Sequence, residues 1–281
     1  MGDEGSMTID PGETCPQVIG AGSPWWTMIR GDDPIVATAI HHGSGLRREA
    51  EILVSLSAAE RLREEDPHTG DMIAAVPTRV IVHRSRFEVD LNRAAPEAVY
   101  REPAHAWGLQ VWQRPPDDAF LQRSLAIHGA FYEAMHSLLR GIVRDHGTFI
   151  LLDVHSYNHR RGGPAAAATA VEQAPDINIG TSSMPPKRWT PVLDALTSGI
   201  RSFDYRGRRL GVGVDVAFQG RGALTRFVHE NFPQNGCAIA FEVKKFFMDE
   251  WTGVPYREDI AALRNMIACL LPALRNALGK V

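Results

Sequence analysis

The sequence has few cysteines, no long apolar run and no excess of positive charge, and each absence excludes a class of protein. The three cysteines, Cys15, Cys237 and Cys269, are too few and too scattered for a disulfide framework or a tetrahedral cysteine zinc site. We therefore expect a reduced, cytoplasmic location. No stretch approaches the ~20 apolar residues of a membrane span. Residues 1–12 are acidic and polar, so we also expect no export signal.

The charge balance excludes a further class of partner. A formal net charge of -3 provides no global positive field to attract phosphates. We therefore expect a small-molecule substrate rather than nucleic acid. A hydrophobic share of 44% and a charged share of 22% are typical of an ordinary globular protein, and the chain is long enough to bury a large core.

Helical patterns alternate with short apolar strands along most of the chain. We predict strands at residues 34–40, 78–83, 87–91, 148–154, 176–180, 209–217 and 237–243. We predict helices at residues 46–62, 117–146, 224–232 and 256–278. Residues 1–24 are predicted to form a flexible arm, and residues 160–174 a loop. Residues 25–281 should form a single α/β domain whose central sheet, mostly parallel or mixed, is flanked by helices.

Polar residues that suit a metal hydrolase stand at the ends of three predicted strands. His41 and His155 each follow an apolar strand directly, and Glu242 ends another. The carboxyl ends of strands are where α/β sheets hold their ligands. Two imidazoles and a carboxylate are a common set of ligands for catalytic zinc. A separate carboxylate can take a proton from the attacking water.

The alternative for each histidine is a structural or exposed position, because the chain has 11 histidines. Two histidines at equivalent strand ends favour a site over this alternative. His159 stands four residues after His155, which is the spacing of a helical metal pair. It follows a strand and precedes arginines and glycines, so we expect a loop residue there.

The stretch Asp-Leu-Asn-Arg at residues 90–93 contains a second group of polar residues. Alternation along a strand places Asp90 and Asn92 on one side. Arg93 suits bidentate binding of a substrate carboxylate, with Asn92 as a neutral partner, and a structural salt bridge is the alternative. Asp90 suits a position behind a metal-bound histidine, holding its distal ring nitrogen.

Five short motifs occur in a defined order and spacing. They are Ala-Ile-His-His-Gly at residues 39–43, Arg-Glu-Glu-Asp-Pro at 63–67, Ser-Arg-Phe-Glu-Val-Asp-Leu-Asn-Arg at 85–93, Asp-Val-His-Ser-Tyr-Asn at 153–158 and Phe-Glu-Val-Lys-Lys at 241–245. Together they resemble the N-formylglutamate amidohydrolase family, whose fold is related to that of the zinc carboxypeptidases. The resemblance covers residues 34–253 and implies a catalytic domain with a zinc-carboxypeptidase-like fold.

The resemblance implies a zinc site formed by two histidines and a carboxylate. His41 and His155 are the implied histidine ligands, and the third ligand follows the first helix, where Asp66 aligns best and Glu65 is the alternative. Zinc carboxypeptidases have a compact His-x-x-Glu motif that this sequence lacks, because the next acidic residue after His41 is Glu49. Ligands of this type also accept manganese, iron or cobalt.

Three further roles come from the same resemblance. Glu242 is implied as the general base and acid, with an ion pair to the lysines that follow it as the alternative. Asp90 is implied to orient His41. Arg86 matches an additional cationic residue of the family, which would polarise the scissile carbonyl or stabilise the oxyanion.

The implied activity is hydrolysis of the amide bond of an N-acyl amino acid, such as N-formylglutamate, by a metal-activated water. Asn92 and Arg93 are implied to bind the carboxylate of this substrate. A carboxypeptidase-like peptidase is the nearest alternative. A non-catalytic metal- or ligand-binding protein on the same fold is another, although Glu242 together with the histidine pair argues against it.

Overall fold

The structure is a computed structural model that describes residues 15–17, 24–185 and 187–281. Its strands are β1 (Cys15–Gln17), β2 (Trp26–Ile29), β3 (Ile35–Ala39), β4 (Thr78–Val82), β5 (Phe149–Tyr157), β6 (Ile177–Gly180), β7 (Val212–Val214) and β8 (Gly236–Lys244). Its helices are α1 (Arg48–Leu53), α2 (Ala58–Glu64), α3 (Thr69–Met72), α4 (Asp118–His146), α5 (Thr190–Ser202), α6 (Ala223–Asn231) and α7 (Arg257–Leu278).

The described strands form one mixed sheet of eight strands in the order β1-β2-β4-β3-β5-β8-β6-β7. The four central strands β4, β3, β5 and β8 are parallel to one another. On one side, β1 and β2 continue the sheet in antiparallel pairing. On the other side, β6 pairs antiparallel with β8 and parallel with β7. The carboxyl ends of the four central strands therefore meet at one edge of the sheet.

Helices cover both faces of the sheet, so the central strands are buried on both sides. Along β5, Ile150 and Leu152 belong to the core that contains residues of α5 and α7. Phe149 and Leu151 belong to the core that contains residues of α4 and α6. Alternate side chains of a strand point to opposite faces, which explains why this strand is a continuous apolar run. The predicted single α/β domain with a mixed sheet flanked by helices is confirmed.

Two predicted elements are wrong, and local contacts explain both. The helix predicted at residues 46–62 is divided into α1 and α2, because Val54 pairs with Trp112 in an isolated β-bridge and Ser57 caps α2 in a capping box. The strand predicted at residues 87–91 is a turn region instead, because the N–H of Glu88 donates to Ser85 O at 3.0 Å and the N–H of Arg93 donates to Asp90 O at 3.2 Å.

Other predicted elements differ mainly in length. The strand predicted at residues 209–217 is only β7, whereas β5 and β8 continue beyond the predicted ends to Tyr157 and Lys244. The predicted arm lies outside the described residues apart from β1 and Pro24. None of the described helices is long and apolar enough to cross a membrane.

Candidate active site

Polar side chains gather where the parallel strands end. His41 lies two residues after β3, while His155 lies within β5 beside its register partner Glu242 in β8. The prediction that His155 follows its strand is therefore wrong, because β5 extends two residues past it. All three residues nevertheless lie at the same edge of the sheet, because β3, β5 and β8 are adjacent and parallel.

The two histidines meet the carboxylate of Asp66. Potential ligand atoms of His41, Asp66 and His155 all lie within 4.8 Å of one another, and all three residues are buried. Asp66 Oδ2 lies 3.0 Å from His155 Nδ1 and 3.4 Å from His41 Nδ1. His41 Nδ1 is enclosed and has no hydrogen-bond partner among the residues that the structure describes. A buried lone pair without a donor fits a metal ligand, and this set of two nitrogens and one oxygen fits a zinc ion.

Asp66 and its neighbour Glu65 point in different directions. The carboxylate of Glu65 accepts a hydrogen bond from Ser85 Oγ and lies 3.8 Å from Arg61 Nε. Burial raises the pKa of Glu65, and its side chain takes no part in the histidine cluster. Asp66 Oδ1 accepts a hydrogen bond from Ser156 Oγ at 3.2 Å while Oδ2 faces the histidines. The geometry therefore brings Asp66, and not Glu65, to the histidine pair.

A second carboxylate lies behind each histidine. His41 Nε2 is 2.8 Å from Asp90 Oδ1, and His155 Nε2 is 3.0 Å from Asp153 Oδ2. Carboxylates in these positions fix the orientation of the rings and increase the basicity of the opposite nitrogens. Thr38 Oγ1 donates to Asp153 Oδ1 at 2.7 Å and so holds that carboxylate in turn. Asp153 was missing from the sequence prediction, although its i, i+2 spacing from His155 in a strand places both side chains on one face.

The carboxylates of the cluster stabilise positive charge at the histidines. Burial would lower the pKa of His155, but Asp153 and Asp66 hold this pKa well above its ordinary value. Burial would likewise raise the pKa of Asp66, but His155 and His41 hold it well below its ordinary value. Two imidazoles thus lie among the carboxylates of Asp66, Asp90 and Asp153.

Arg86 and Tyr100 hold the carboxylate behind His41. Arg86 Nη2 donates to Asp90 Oδ2 at 2.8 Å, and Tyr100 Oη donates to the same oxygen. Arg86 Nε also donates to Tyr100 Oη at 3.2 Å. Burial would lower the pKa of Arg86, but Asp90 and Tyr100 raise it, so the guanidinium stays charged. Asp90 Oδ1 accepts in addition the backbone N–H of Asn92 at 2.8 Å, which is a turn contact and not the strand alternation that was predicted.

One cavity of about 460 Å³ brings most of the predicted site residues together. The predicted residues that line it are His41, Asp66, Arg86, Asn92, Arg93, His155 and Glu242. Glu242 is half-buried there, and burial raises its pKa to about 7. Asp90 and Glu65 do not line the cavity, because one lies behind His41 and the other points towards Ser85.

Three arginines with largely free guanidinium groups line the same cavity. The side chain of Arg93 is 42% exposed, and its nearest charged partner is Asp90 Oδ2 at 3.9 Å. Arg161 and Arg221 are exposed and form no hydrogen bond or ion pair through their side chains within the part of the chain that the structure describes. They lie in irregular segments without periodicity, so the sequence offered no pattern from which to predict them.

Asn178 anchors the loop that carries Arg221. Its buried side-chain oxygen accepts the backbone N–H groups of Val216 and Ala217 at 3.0 and 2.8 Å, and its Nδ2 donates to Phe218 O at 2.7 Å. Three contacts from one fully buried amide fix this loop against β6. The cavity wall that presents Arg221 is therefore held in place by the sheet.

Comparisons with known proteins show the family and the fold. The family model for N-formylglutamate amidohydrolase matches residues 33–248, which confirms the resemblance inferred from the five motifs. An N-formylglutamate amidohydrolase from Ralstonia eutropha is similar in structure, with a TM-score of 0.69 and 17% identity over 90% of this chain and 96% of its own. A gene product from Agrobacterium tumefaciens has a TM-score of 0.62 and 14% identity over 87% of this chain and 91% of its own. No curated protein matches the chain.

We expect His155→Ala to lose its bound divalent metal, because the change removes one ligand atom and leaves Asp153 and Asp66 without their shared partner. Elemental analysis of protein dialysed against zinc, then against buffer, measures the metal content. His105→Ala removes an exposed histidine that neither belongs to the cluster nor lines the cavity, and it should keep the wild-type content. Full zinc occupancy in His155→Ala would contradict the assignment of this site.

Proposed function

Because the chain belongs to the N-formylglutamate amidohydrolase family, we propose that it is a zinc-dependent hydrolase of N-acyl amino acids of the N-formylglutamate type. One observation carries this proposal: the buried cluster of His41, Asp66 and His155 lines the same cavity as Glu242. A candidate metal site and a candidate proton acceptor therefore face one substrate-sized space. The cytoplasmic location expected from the scattered cysteines stays a prediction.

The residues of the cluster fit a zinc ion by ligand type and by orientation. His41 and His155 both present Nδ1 to Asp66 Oδ2, while His41 Nε2 is hydrogen-bonded to Asp90 and His155 Nε2 lies 3.0 Å from Asp153 Oδ2. Zinc held there would polarise a substrate carbonyl and lower the pKa of a bound water to ~7. The two outer carboxylates keep the rings aimed at the metal position.

Glu242 is the proposed general base and acid. A group with a pKa near the working pH both accepts and returns a proton efficiently, and burial raises the pKa of Glu242 to about 7. Its position beside His155 in the sheet places it at the metal cluster while it still lines the cavity. We propose that it takes the proton of the attacking water and delivers a proton to the leaving amide nitrogen.

Arg93 and Asn92 are proposed to bind the carboxylate of the substrate. Arg93 is exposed to the cavity, and its one ion-pair contact within the described part of the chain is long, at 3.9 Å, so its donors are available for a bidentate carboxylate. Asn92 Oδ1 accepts the N–H of Leu224 at 3.3 Å, and its Nδ2 lies 3.4 Å from His155 Nε2. These contacts hold Asn92 between the arginine and the metal cluster. Arg86 lines the cavity with a permanently charged guanidinium, and we assign it to stabilising the developing oxyanion.

Replacing Glu242 with Gln should abolish proton transfer and leave the metal ligands intact. General acid–base catalysis typically increases the reaction rate by roughly 10²- to 10⁴-fold, so kcat for N-formylglutamate should fall by about that factor. Steady-state assays, with zinc content measured in the same samples, check this. Glu230→Gln changes an exposed carboxylate of α6 and serves as the matched control. Activity of Glu242→Gln at the wild-type level would sink the assignment.

Replacing Arg93 with Ala should weaken substrate binding more than it slows chemistry. A hydrogen bond to a charged group contributes about 1.5–3 kcal/mol, which corresponds to a roughly 10- to 100-fold rise in KM. The rise should disappear when the carboxylate of the substrate is replaced by a neutral amide. Arg101→Ala, at an exposed position outside the cavity, should leave KM unchanged. An unchanged KM in Arg93→Ala would show that Arg93 does not bind the carboxylate of the substrate.

A further inference from the structure

Side chains from three other segments hold the carbonyl groups at the end of α2. The carbonyls belong to residues 63–65, and helix-terminal carbonyls lack partners within the helix. Lys245 Nζ donates to the first and the third of them at 2.6 and 2.8 Å. Asn158 Nδ2 donates to the first at 2.7 Å, and Arg86 Nη1 to the second at 3.1 Å. Three consecutive carbonyl groups are therefore fixed immediately before Asp66.

These polar contacts matter because α2 has little apolar packing. The helix contains no buried residue, and its Leu62 is only partly buried. His155, by contrast, lies within the central strand β5, and His41 lies two residues after β3. Asp66 is thus the member of the cluster that a surface segment carries. Its position relative to the histidines depends on how the end of α2 is held and on the hydrogen bond from its own N–H to His41 O at 2.9 Å.

Lys245 is an unusual residue to find at this place. It is only 1% exposed and has no ion pair among the described residues. Burying an ammonium group away from water costs several kcal/mol unless hydrogen bonds compensate. Burial lowers the pKa of Lys245 to about 8. An apolar side chain would fill the same space without this cost, so the hydrogen bonds of the ammonium group account for its presence.

We propose that Lys245 is a positioning residue that places Asp66 opposite the two histidines and thereby sets the metal affinity of the cluster. The inference rests on the proposed function in one respect, namely that the cluster binds a divalent metal. Lys245 directly follows β8, three residues after Glu242. One strand therefore positions both the proposed base and, through the end of α2, the carboxylate ligand.

Zinc titration of Lys245→Met and Lys244→Met apoproteins tests this role. Lys244 is a matched control, because it is also buried and its Nζ donates to a carbonyl, that of Ala174 at 2.6 Å, away from α2. Competition with a chromophoric chelator measures the affinity. Mutation of a residue that supports a metal ligand typically lowers metal affinity by about 10- to 100-fold. We expect a loss of that size in Lys245→Met. Lys244→Met should bind zinc as the wild type does.

Amide hydrogen exchange of the same apoproteins separates a local effect from general destabilisation. Lys245→Met should exchange faster at residues 58–66 and should keep wild-type protection in β5. Wild-type protein that binds no zinc would overturn the proposed function. Wild-type protein that binds zinc, with Lys245→Met of equal affinity, would overturn the positioning role alone. If Lys245→Met does not fold, Lys245→Gln replaces it, because the shorter neutral amide cannot reproduce both hydrogen bonds of the ammonium group, and unchanged zinc affinity there would overturn the positioning role.

Discussion

Both histidines of the cluster point at one atom, Oδ2 of Asp66, and the structure around them keeps this arrangement in place. His41 is held from behind by Asp90, and His155 by Asp153. Buried charges are costly unless each is paired and hydrogen-bonded. Here every carboxylate has an imidazole partner, and the ligand nitrogens converge on a common point. A divalent cation at that point would complete the compensation of the three carboxylates.

The fold positions the residues of the site in two different ways. The parallel strands β3, β5 and β8 bring His41, His155 and Glu242 to one edge, where apolar layers on both faces fix them. Asp66 follows the end of α2, a helix without buried residues, and polar contacts rather than apolar layers hold it in place. The geometry of the cluster is therefore as rigid as those polar contacts allow, and Lys245 contributes two of them.

The parts of the site that lie on core strands could be predicted from the sequence. His41, His155 and Glu242 each stand at the end of an apolar run, and parallel strands bring such ends together. Asp153 could also have been predicted, because residues two apart in a strand point to the same face and Asp153 lies two residues before His155. The choice between Glu65 and Asp66 could not be made, because it depends on the direction in which the chain leaves α2 and on the contact of Glu65 with Ser85.

The parts that depend on turns and loops were predicted poorly, because side chains determine their shape through tertiary contacts. Residues 87–91 alternate like a strand but form a turn region, in which Asp90 binds the backbone of Asn92. Arg161 and Arg221 line the cavity from irregular segments, and the anchoring of one of these by Asn178 has no sequence signature.

X-ray absorption spectroscopy of the zinc-loaded protein identifies the ligand atoms of the metal without depending on turnover. We expect only nitrogen and oxygen atoms bonded to the zinc, with the multiple-scattering signal of two imidazole rings. A sulfur scatterer, or a spectrum without imidazole scattering, would contradict a site formed by His41, Asp66 and His155.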